Sequence, residues 1–141
     1  MNKYPSTFYR VSLKAVVKND VDQVLVVKEG SDEWSLPGGG LDHGEAASDG
    51  LVRELQEELG TAIIVKSMAF RSTYTFHARA TDVWYLWILY DVTISTPDSL
   101  IGAHVTEAQY LSLEDFRKSD SRSRRRIVEA LSGIQVDTVK N

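Results

Sequence analysis

The sequence predicts an α+β or α/β sandwich in which helices cover a mixed β-sheet. Segments with the composition of strands lie on both sides of one amphipathic helix, which is predicted from about Ala47 to Leu59. A second helix pattern follows near the end of the chain, at 123–131. The run at 83–92 is apolar on both alternating faces, as expected of a strand that is covered on both sides. A covered strand with helices before and after it favours a layered arrangement.

Composition limits the class of protein. The chain has 141 residues, of which 43% are hydrophobic and 26% charged, and these values predict a single globular domain over 1–141. No apolar run approaches the ~20 residues of a membrane span, and residues 1–7 lack the apolar stretch of a secretory signal. The expected location is therefore the cytoplasm. Because the chain has no cysteine, disulfides, thiol catalysis and thiolate metal sites are excluded.

The first half of the chain is predicted to hold two strands and one helix. The segments 8–17 and 23–28 are rich in Val and Leu, and the polar turn between them predicts a β-hairpin. A loop is expected at 30–33. The segment 36–40, Leu-Pro-Gly-Gly-Gly, is expected to be irregular, because proline lacks a donor and glycine favours positive φ. The following helix is predicted to stop at Gly60.

The second half is predicted to alternate strands with short helices, without a repeat or linker. Strands are expected at 61–70 and 72–79, and the run at 83–92 is the predicted centre of the sheet. A loop is expected at 96–99. The remaining predictions are a short strand within 104–111, a helical turn at 113–117 and the last helix, which stops at Gly133.

The predicted first helix carries an acidic cluster. Glu54, Glu57 and Glu58 are spaced i, i+3, i+4 and share one helix face within about 100° of arc. Leucines and Val52 lie on the other face, which is predicted to dock on the sheet, so the acids are expected to point away from the core. Between 42 and 58 there are six acids and one base, Arg53, which predicts a compensating cation. Oxygen ligands without cysteine or paired histidines suit Mg²⁺ or Mn²⁺ rather than zinc.

The arrangement Gly39-x5-Glu45-x7-Arg53-Glu54-Leu55-x-Glu57-Glu58-x-Gly60 resembles the signature box of the Nudix hydrolases at every fixed position. Only the final hydrophobic position departs from it, being Thr61. The preceding segment from Trp34 to Gly40 also resembles the family's approach to the box. The box covers 23 residues, and the similarity in element order extends over most of the chain. The resemblance implies an α/β/α sandwich with a mixed sheet flanked by helices.

The resemblance also implies roles for the box residues. Glu54, Glu57 and Glu58 would bind metal, together with the Gly38 carbonyl. Arg53 would orient a carboxylate through a bidentate contact, although a simple i,i+4 pair with Glu57 is the plainer interpretation. Two further supporting positions are implied, Gly39 and Glu45, the latter bracing the loop to the helix.

The water-activating base has two candidates. Glu54 could serve while also binding metal. Glu107 resembles a later loop glutamate that some relatives use as ligand or base, and an exposed loop acid is an equally good interpretation. The histidines are scattered and unpaired, and surface or packing roles are favoured for His43, His77 and His104.

Gly50 lies inside the predicted helix, on its acidic face. A glycine there costs roughly 1 kcal/mol relative to alanine. Its position predicts that another part of the chain, expected to be the glycine turn, passes close to it.

The function implied by the resemblance is Mg²⁺-dependent hydrolysis of a pyrophosphate linkage in a nucleoside diphosphate joined to another moiety, either a nucleoside triphosphate or a nucleotide sugar. The alternative is a catalytically silent binding or sensor module, which intact box glutamates disfavour. An EF-hand is excluded, because the acids have helical spacing. A homodimer is possible, as in many relatives.

Substrate recognition is less constrained by the sequence. Candidate base-stacking aromatics, each more often a core residue, are Phe8, Trp34, Tyr74, Phe76 and Tyr85. Trp84 and Trp87 point to opposite sides of their strand, so at most one faces the site. A basic cluster near the last helix could hold polyphosphate, nucleic acid or an acidic partner, although a solvated helix end is the favoured interpretation. Its members are Arg117, Lys118, Arg122, Arg124, Arg125 and Arg126. The net charge of −4 disfavours nucleic acid as a partner.

Overall fold

The computed structural model describes residues 8–28, 33–95, 105, 107–119 and 121–133. Within these ranges it has six strands and three helices. In chain order they are β1 (Tyr9–Val16), β2 (Val24–Lys28), β3 (Gly38–Gly40), α1 (Ala47–Leu59), β4 (Val65–Ala78), β5 (Val83–Ile94), β6 (Glu107–Leu111), α2 (Leu113–Arg117) and α3 (Arg122–Ser132). The predictions for 30–32, for the loop at 96–99 and for His104 lie outside the described residues.

The strands form two sheets. The larger sheet has the order β3-β1-β5-β4, in which β1 runs parallel to β5 and the other neighbours are antiparallel. The smaller sheet pairs β2 with β6 antiparallel. The predicted mixed sheet is thus confirmed, and β5 lies in its interior as expected.

Two hydrophobic clusters lie on opposite sides of the strands. Leu51 and Leu55 of α1 pack in one cluster with Leu13 of β1. Ile127 of α3 packs in the other with Trp87 of β5. Because successive side chains of a strand point to opposite faces, β5 contributes to both clusters. Helices therefore cover both faces, and the α/β/α sandwich is confirmed.

The predicted hairpin between the first two strands is wrong. Leu25 N donates to Val17 O over 2.9 Å at the base of the turn, and an isolated bridge joins Lys18 to Val24. Beyond that point the strands lie in different sheets, β1 beside β5 and β2 beside β6. The second half of β1, 13–16, and β2 from 24 to 27 are buried on both of their faces. Segments that are buried on both faces are typical of the interior of a layered fold. In this chain each of the two strands pairs with a strand that is distant in sequence.

The glycine segment is also more regular than predicted. Gly38, Gly39 and Gly40 form β3, the edge strand that pairs with β1. A side chain at Gly38 could not be accommodated, because its Cβ would lie 1.9 Å from Leu13 O and its φ is +135°. The absence of a side chain at Gly38 is therefore what allows this segment to approach β1 so closely.

The two strands predicted at 61–70 and 72–79 are one strand, β4. The register against β5 shifts between Phe70 and Ser72, which marks a β-bulge at the position where the sequence pattern breaks. The helices follow the predictions closely. Helix α1 ends at Gly60, and Gly133 takes the left-handed conformation, φ 74°, at the end of α3. Across the described residues, each helix is too short or too polar to cross a lipid bilayer.

Candidate active site

The outer edge of β3 faces the side chains of α1. Ala15 N donates to Pro37 O and Leu41 N donates to Val11 O, so residues 37 and 41 are bonded to β1. Because backbone groups alternate in direction along a strand, residues 38 and 40 face away from β1. Gly38 N donates to Glu58 Oε1 over 2.6 Å, and Gly40 O accepts from Arg53 Nη2 over 3.1 Å. Side chains of α1 thus satisfy the edge of the sheet.

Glu58 is buried, with 2% of its surface exposed, and the prediction that it points away from the core is wrong. At 100° per residue, the seven residues between Leu51 and Glu58 leave the two side chains about 20° apart on the helix. Glu58 therefore lies on the apolar face, where Leu51 is fully buried. Its carboxylate is stabilised there by the Gly38 amide.

Glu54 lies against the middle glycine of β3. A Cβ on Gly39 would approach Glu54 Oε2 to 2.4 Å and Glu54 Cδ to 2.6 Å. Gly40, one residue later, has nothing within 4 Å of its own Cβ position. Of these two glycines, only Gly39 has its Cβ position occupied, and the Glu54 carboxylate occupies it.

Arg53 contacts four of the acids that surround it. Its Nε and Nη2 lie 2.8 and 2.9 Å from the two carboxylate oxygens of Glu45. Its Nη1 donates to Glu54 Oε1 over 2.9 Å and to Glu57 Oε1 over 3.4 Å, and its Nη2 lies 3.5 Å from Asp42 Oδ2. The bidentate contact is made with Glu45, and the i,i+4 contact with Glu57 is the longest of its hydrogen bonds. Much of the cationic compensation that the acids require comes from this arginine.

These contacts shift both partners of the bidentate pair. The hydrogen bond from Arg53 is the main cause that holds the pKa of Glu45 below its ordinary value, and the Asp42 amide acts in the same direction. The hydrogen bond to Glu45 is the main cause that raises the pKa of Arg53. The pair is therefore charged at neutral pH, and it fixes the loop before α1 to the helix.

Gly50 is packed against side chains rather than against the glycine segment. A Cβ there would lie 2.7 Å from Glu45 Oε1 and 2.9 Å from Leu13 Cδ1. The predicted close approach exists, but its partners were wrong. Glycine at this position leaves room for the carboxylate that Arg53 holds.

The helix carboxylates and the glycine strand suit a divalent metal ion as a donor set. Glu54 and Glu57 already meet at one cationic atom, Arg53 Nη1. The strand alternation described above directs the Gly38 carbonyl to the same edge of β3. Among the residues that the structure describes, no group of three or more Asp, Glu or His side chains is gathered closely enough to hold a metal ion. The oxygen donors fit a hard cation such as Mg²⁺ or Mn²⁺.

A cavity of about 500 Å³ opens beside this edge, and we call it the glycine cavity. Its described lining includes Gly38, Gly39, Gly40 and Glu54, with cations and aromatic rings on the other walls, namely Lys14, Arg126, Trp34 and Trp87. Of the two strand tryptophans, Trp87 lies in this lining and Trp84 does not, in agreement with the expectation that only one could face the site. Carboxylates, cations and rings thus surround one space of the size that small ligands occupy.

Lys14 is a lining residue that sequence reasoning missed. Only 9% of its surface is exposed, its Nζ donates to Leu36 O over 3.2 Å, and it lies 5.2 Å from the centroid of the Trp87 ring. The available signal was a lysine between Leu13 and Ala15, in the half of β1 that is otherwise apolar; Arg10 and Ser12 lie in the other half. Lysines are seldom buried without a specific partner.

Glu107 lies at the start of β6. Its carboxylate makes an ion pair of 3.3 Å with Lys28 Nζ on the paired strand β2, and about half of its side chain is exposed. Lys28 in turn lies 4.5 Å from the centroid of the Trp34 ring, which lines the glycine cavity. Glu107 is thus linked to the cavity wall, and its role as ligand or base stays a prediction. His77 pairs with Asp82 over 2.8 Å, away from the carboxylates of α1.

The basic cluster is divided by the structure. Arg126 is partly buried, lies 3.8 Å over the Phe76 ring and lines the glycine cavity. The prediction that the basic cluster is a solvated helix end is therefore wrong for Arg126. Arg117, by contrast, is exposed and lies 3.9 Å from Glu114 on α2. Several of the predicted stacking residues are core residues, since Tyr74 and Phe76 are buried in the cluster beneath α3.

A family model described as the NUDIX domain matches residues 8–131. The chain is 49% identical over 53 residues to an RNA pyrophosphohydrolase of Ruthia magnifica, a match that covers 37% of this chain and 30% of the relative. It is 32% identical over 117 residues to Nudix hydrolase 2 of Arabidopsis thaliana, which covers 77% of this chain and 41% of that protein. The chain thus spans less than half the length of both relatives. A solved NUDIX hydrolase structure from Nitrosomonas europaea superposes with a TM-score of 0.69 at 20% identity, over 95% of this chain and 97% of the other.

Proposed function

This chain belongs to the Nudix family, and on that premise we propose that it hydrolyses a pyrophosphate linkage in a nucleoside diphosphate joined to another moiety. The observation that carries the proposal is the position of Glu54, which meets Glu57 at one cationic atom and also lines the glycine cavity. Glu54 is thus both a member of the acidic cluster and part of the wall of a cavity large enough for a small ligand. The similarity to the RNA pyrophosphohydrolase of Ruthia magnifica supports the same reaction class.

We propose that Glu54, Glu57 and Glu58 hold Mg²⁺ or Mn²⁺ together with the Gly38 carbonyl. When bound, such an ion neutralises phosphate oxygens, polarises the anhydride bond and lowers the pKa of a coordinated water. Glu58 would be the fixed member of the set, since it is buried and held by the Gly38 amide. Glu57 is the adjustable member, because 46% of its side chain is exposed.

Other residues of the chain would position the substrate. Lys14 and Arg126 place positive charge in the lining of the same cavity as Glu54, and this charge would neutralise phosphate oxygens. Trp34 and Trp87 are 7% and 6% exposed, so they contribute an apolar part of the same cavity wall and little open ring face for a nucleoside base. Arg53 acts as a positioning residue, because its bidentate contact with Glu45 fixes the loop while its third nitrogen directs Glu54 and Glu57.

The proposed reaction transfers one phosphoryl group to water. The water oxygen forms a bond to phosphorus, the bridging P–O bond breaks, and the bridging oxygen leaves as a phosphate with the bonding electron pair. The water proton passes to a carboxylate base, for which Glu54 and Glu107 are the two candidates. Glu54 lies in the cavity lining, whereas Glu107 is engaged by Lys28.

The test is a hydrolysis screen across nucleoside triphosphates, dinucleotides and nucleotide sugars with Mg²⁺ or Mn²⁺, using the wild type and Glu57→Gln. Loss of one charged ligand is expected to reduce kcat by about tenfold or more. Glu114→Gln is the matched control, since Glu114 is an exposed glutamate of α2. If no substrate is hydrolysed while nucleotide binding persists, the alternative of a silent binding module replaces the enzyme.

The product of the active substrate would show which moiety is joined to the nucleoside diphosphate. The nucleoside triphosphate and nucleotide sugar classes are both compatible with the cavity. Location in the cytoplasm and a homodimeric state stay predictions.

A further inference from the structure

A second cavity, of about 400 Å³, adjoins the glycine cavity. Four arginines lie in its described lining, so we call it the arginine cavity: Arg79, Arg122, Arg125 and Arg126. Arg126 lines both cavities, which makes them neighbours rather than separate sites. The two cavities thus lie side by side, with Arg126 as a shared lining residue.

The arginine cavity has an excess of positive charge. The one carboxylate in its described lining, Glu129, accepts a hydrogen bond from the Tyr74 hydroxyl. Asp82, just outside, is engaged by His77 and is mostly exposed. Burial is the main cause that lowers the pKa of Arg126, and the charge of Arg122 acts in the same direction. Guanidinium groups that repel one another would be stabilised by an anion, and their planar fork matches phosphate oxygens.

The same cavity presents aromatic surface. Trp84 is 42% exposed, and its ring lies 5.3 Å from the His77 ring, centroid to centroid. Both residues line the cavity. An exposed tryptophan beside several arginines combines a stacking surface for a base with positive charge for a phosphate. Proteins that bind single-stranded nucleic acid use this combination.

We propose that the arginine cavity binds a second nucleotide unit, through its phosphodiester on the arginines and its base on Trp84, when that unit is joined to the nucleotide in the glycine cavity. The site would select substrates that carry a short nucleotide extension over simple mononucleotides. This inference rests on the proposed function only for placing the first nucleotide. The cavity holds one such unit, so no long polymer is required.

Binding can be tested with ligands that contain no anhydride bond, so that the result does not depend on hydrolysis. We would compare the 5′-phosphorylated dinucleotide pApA with AMP by calorimetry in the presence of Mg²⁺. The wild type is expected to bind pApA about tenfold or more tightly than AMP, since a stacked base and a paired phosphate each strengthen binding. Equal affinities for the two ligands would overturn the proposal.

Variants of the full chain locate the effect. The double substitution Arg122→Gln, Arg125→Gln is expected to remove most of the difference between pApA and AMP. Arg117→Gln is the matched control, because Arg117 is an exposed arginine outside the described lining of both cavities. If the control reduces pApA binding as much as the double variant does, the effect is general charge and the proposal fails.

Trp84→Ala separates a nucleotide from a simple anion. It is expected to weaken pApA binding about fivefold or more, while Phe70→Ala, which removes another exposed aromatic ring, has no such effect. Inorganic tripolyphosphate provides the second comparison. Should Trp84→Ala leave pApA binding unchanged and tripolyphosphate compete as well as pApA does, the cavity binds only anions and the nucleotide assignment is overturned. Circular dichroism of each variant confirms that the fold is retained.

Discussion

Gly39 of the edge strand lies against the Glu54 carboxylate of the acidic helix. An alanine Cβ there would overlap the Glu54 carboxylate, with a closest approach of 2.4 Å. Gly39→Ala is therefore expected to displace Glu54 and to weaken Mg²⁺ binding about tenfold or more, as disturbance of a ligand's support does in other metal sites. Metal titration by calorimetry measures this change.

Gly40→Ala is the control for that substitution, since the next glycine of the same strand has nothing within 4 Å of its Cβ position. Both variants add one methyl group to β3. Equal metal affinity in the two proteins would contradict the assignment of Glu54 as a ligand.

Glu45 gives the site a dependence on pH. Its pKa is lower in the folded chain than in the unfolded one, because Arg53 stabilises its charged form. The stabilisation is therefore fully present above the unfolded pKa and is lost as the pH falls through the folded value. Glu45→Gln should be less stable than wild type at about pH 7, and the difference should shrink toward about pH 3. Urea unfolding across this range measures it, and a difference that grows on acidification would refute the pairing.

Some residue contacts could be predicted from the sequence, and others could not. The family resemblance implied a bidentate contact for Arg53 and a bracing role for Glu45, and the structure shows that these two residues are each other's partners. The burial of Glu58 was available from its seven-residue separation from Leu51, but grouping the three glutamates by charge concealed it. The position of Lys14 beside Trp87 depends on pairing between distant strands, which a single sequence does not specify.

At the scale of elements, helix α3 is joined to the loop before β3. Ser121 caps α3, accepting a hydrogen bond from Arg124 N, and its hydroxyl donates to Glu33 Oε2 over 2.8 Å. Glu33, Ser123 and Arg126 all line the glycine cavity. The cap therefore fixes two walls of the cavity relative to each other as well as ending the helix.

Ser121→Ala is expected to cost about 1 kcal/mol of stability and also to raise KM, because the two walls lose their connection. Ser112→Ala is the comparison, since Ser112 caps α2 through Glu114 N and is not in the described lining of the cavity. Steady-state kinetics and thermal unfolding of both variants distinguish the effects. A KM for Ser121→Ala that matches that of Ser112→Ala would limit Ser121 to capping.

Elements with strong local signals were predicted well. Helix α1 has a clear apolar stripe and a terminal glycine, and its bounds agree with the prediction. Strand β3 was missed because it has no hydrophobic pattern. It pairs with the adjacent strand β1, where Leu13 O lies too close to Gly38 for any side chain at that position. The partners of β1 and β2 were missed for a related reason, since a polar turn specifies proximity at its base but not which strands pair beyond it.

At the scale of the whole molecule, metal binding should be coupled to folding. The proposed ligands come from α1 and β3, and they are close together only in the folded chain. A ligand at a hundredfold excess over its Kd stabilises the fold by about 2.7 kcal/mol. Thermal unfolding should therefore shift upward with Mg²⁺ concentration in wild type and less in Glu57→Gln.

The control for this coupling is Glu114→Gln, whose response to Mg²⁺ should equal that of wild type. General screening by salt is measured with NaCl at matched ionic strength. If Glu57→Gln and wild type respond equally to Mg²⁺, the ion acts elsewhere on the chain, and the proposed ligand set is wrong.

Charge is distributed unevenly over the molecule despite the mild net value of −4. Acids are concentrated around Arg53, and arginines are concentrated around the second cavity. A negative net charge weakens the long-range attraction of nucleic acid, and the expectation that nucleic acid is disfavoured rests on this effect. A single phosphodiester at short range depends on the arginines nearest to it.

The strand without side chains has one more consequence. Leu13 and Lys14 are neighbours in β1, yet Leu13 supports the layer of α1 while Lys14 faces the glycine cavity. Glu54 of the helix that would hold the ion also lines the space that would hold the substrate, and the backbone of β3 runs beside both. An evolving chain could replace Arg122 or Arg125 of the arginine cavity and acquire a new preference without changing the carboxylates of α1. Engineering of selectivity should accordingly begin at Arg122 and Arg125 and leave Gly38 and Gly39 untouched.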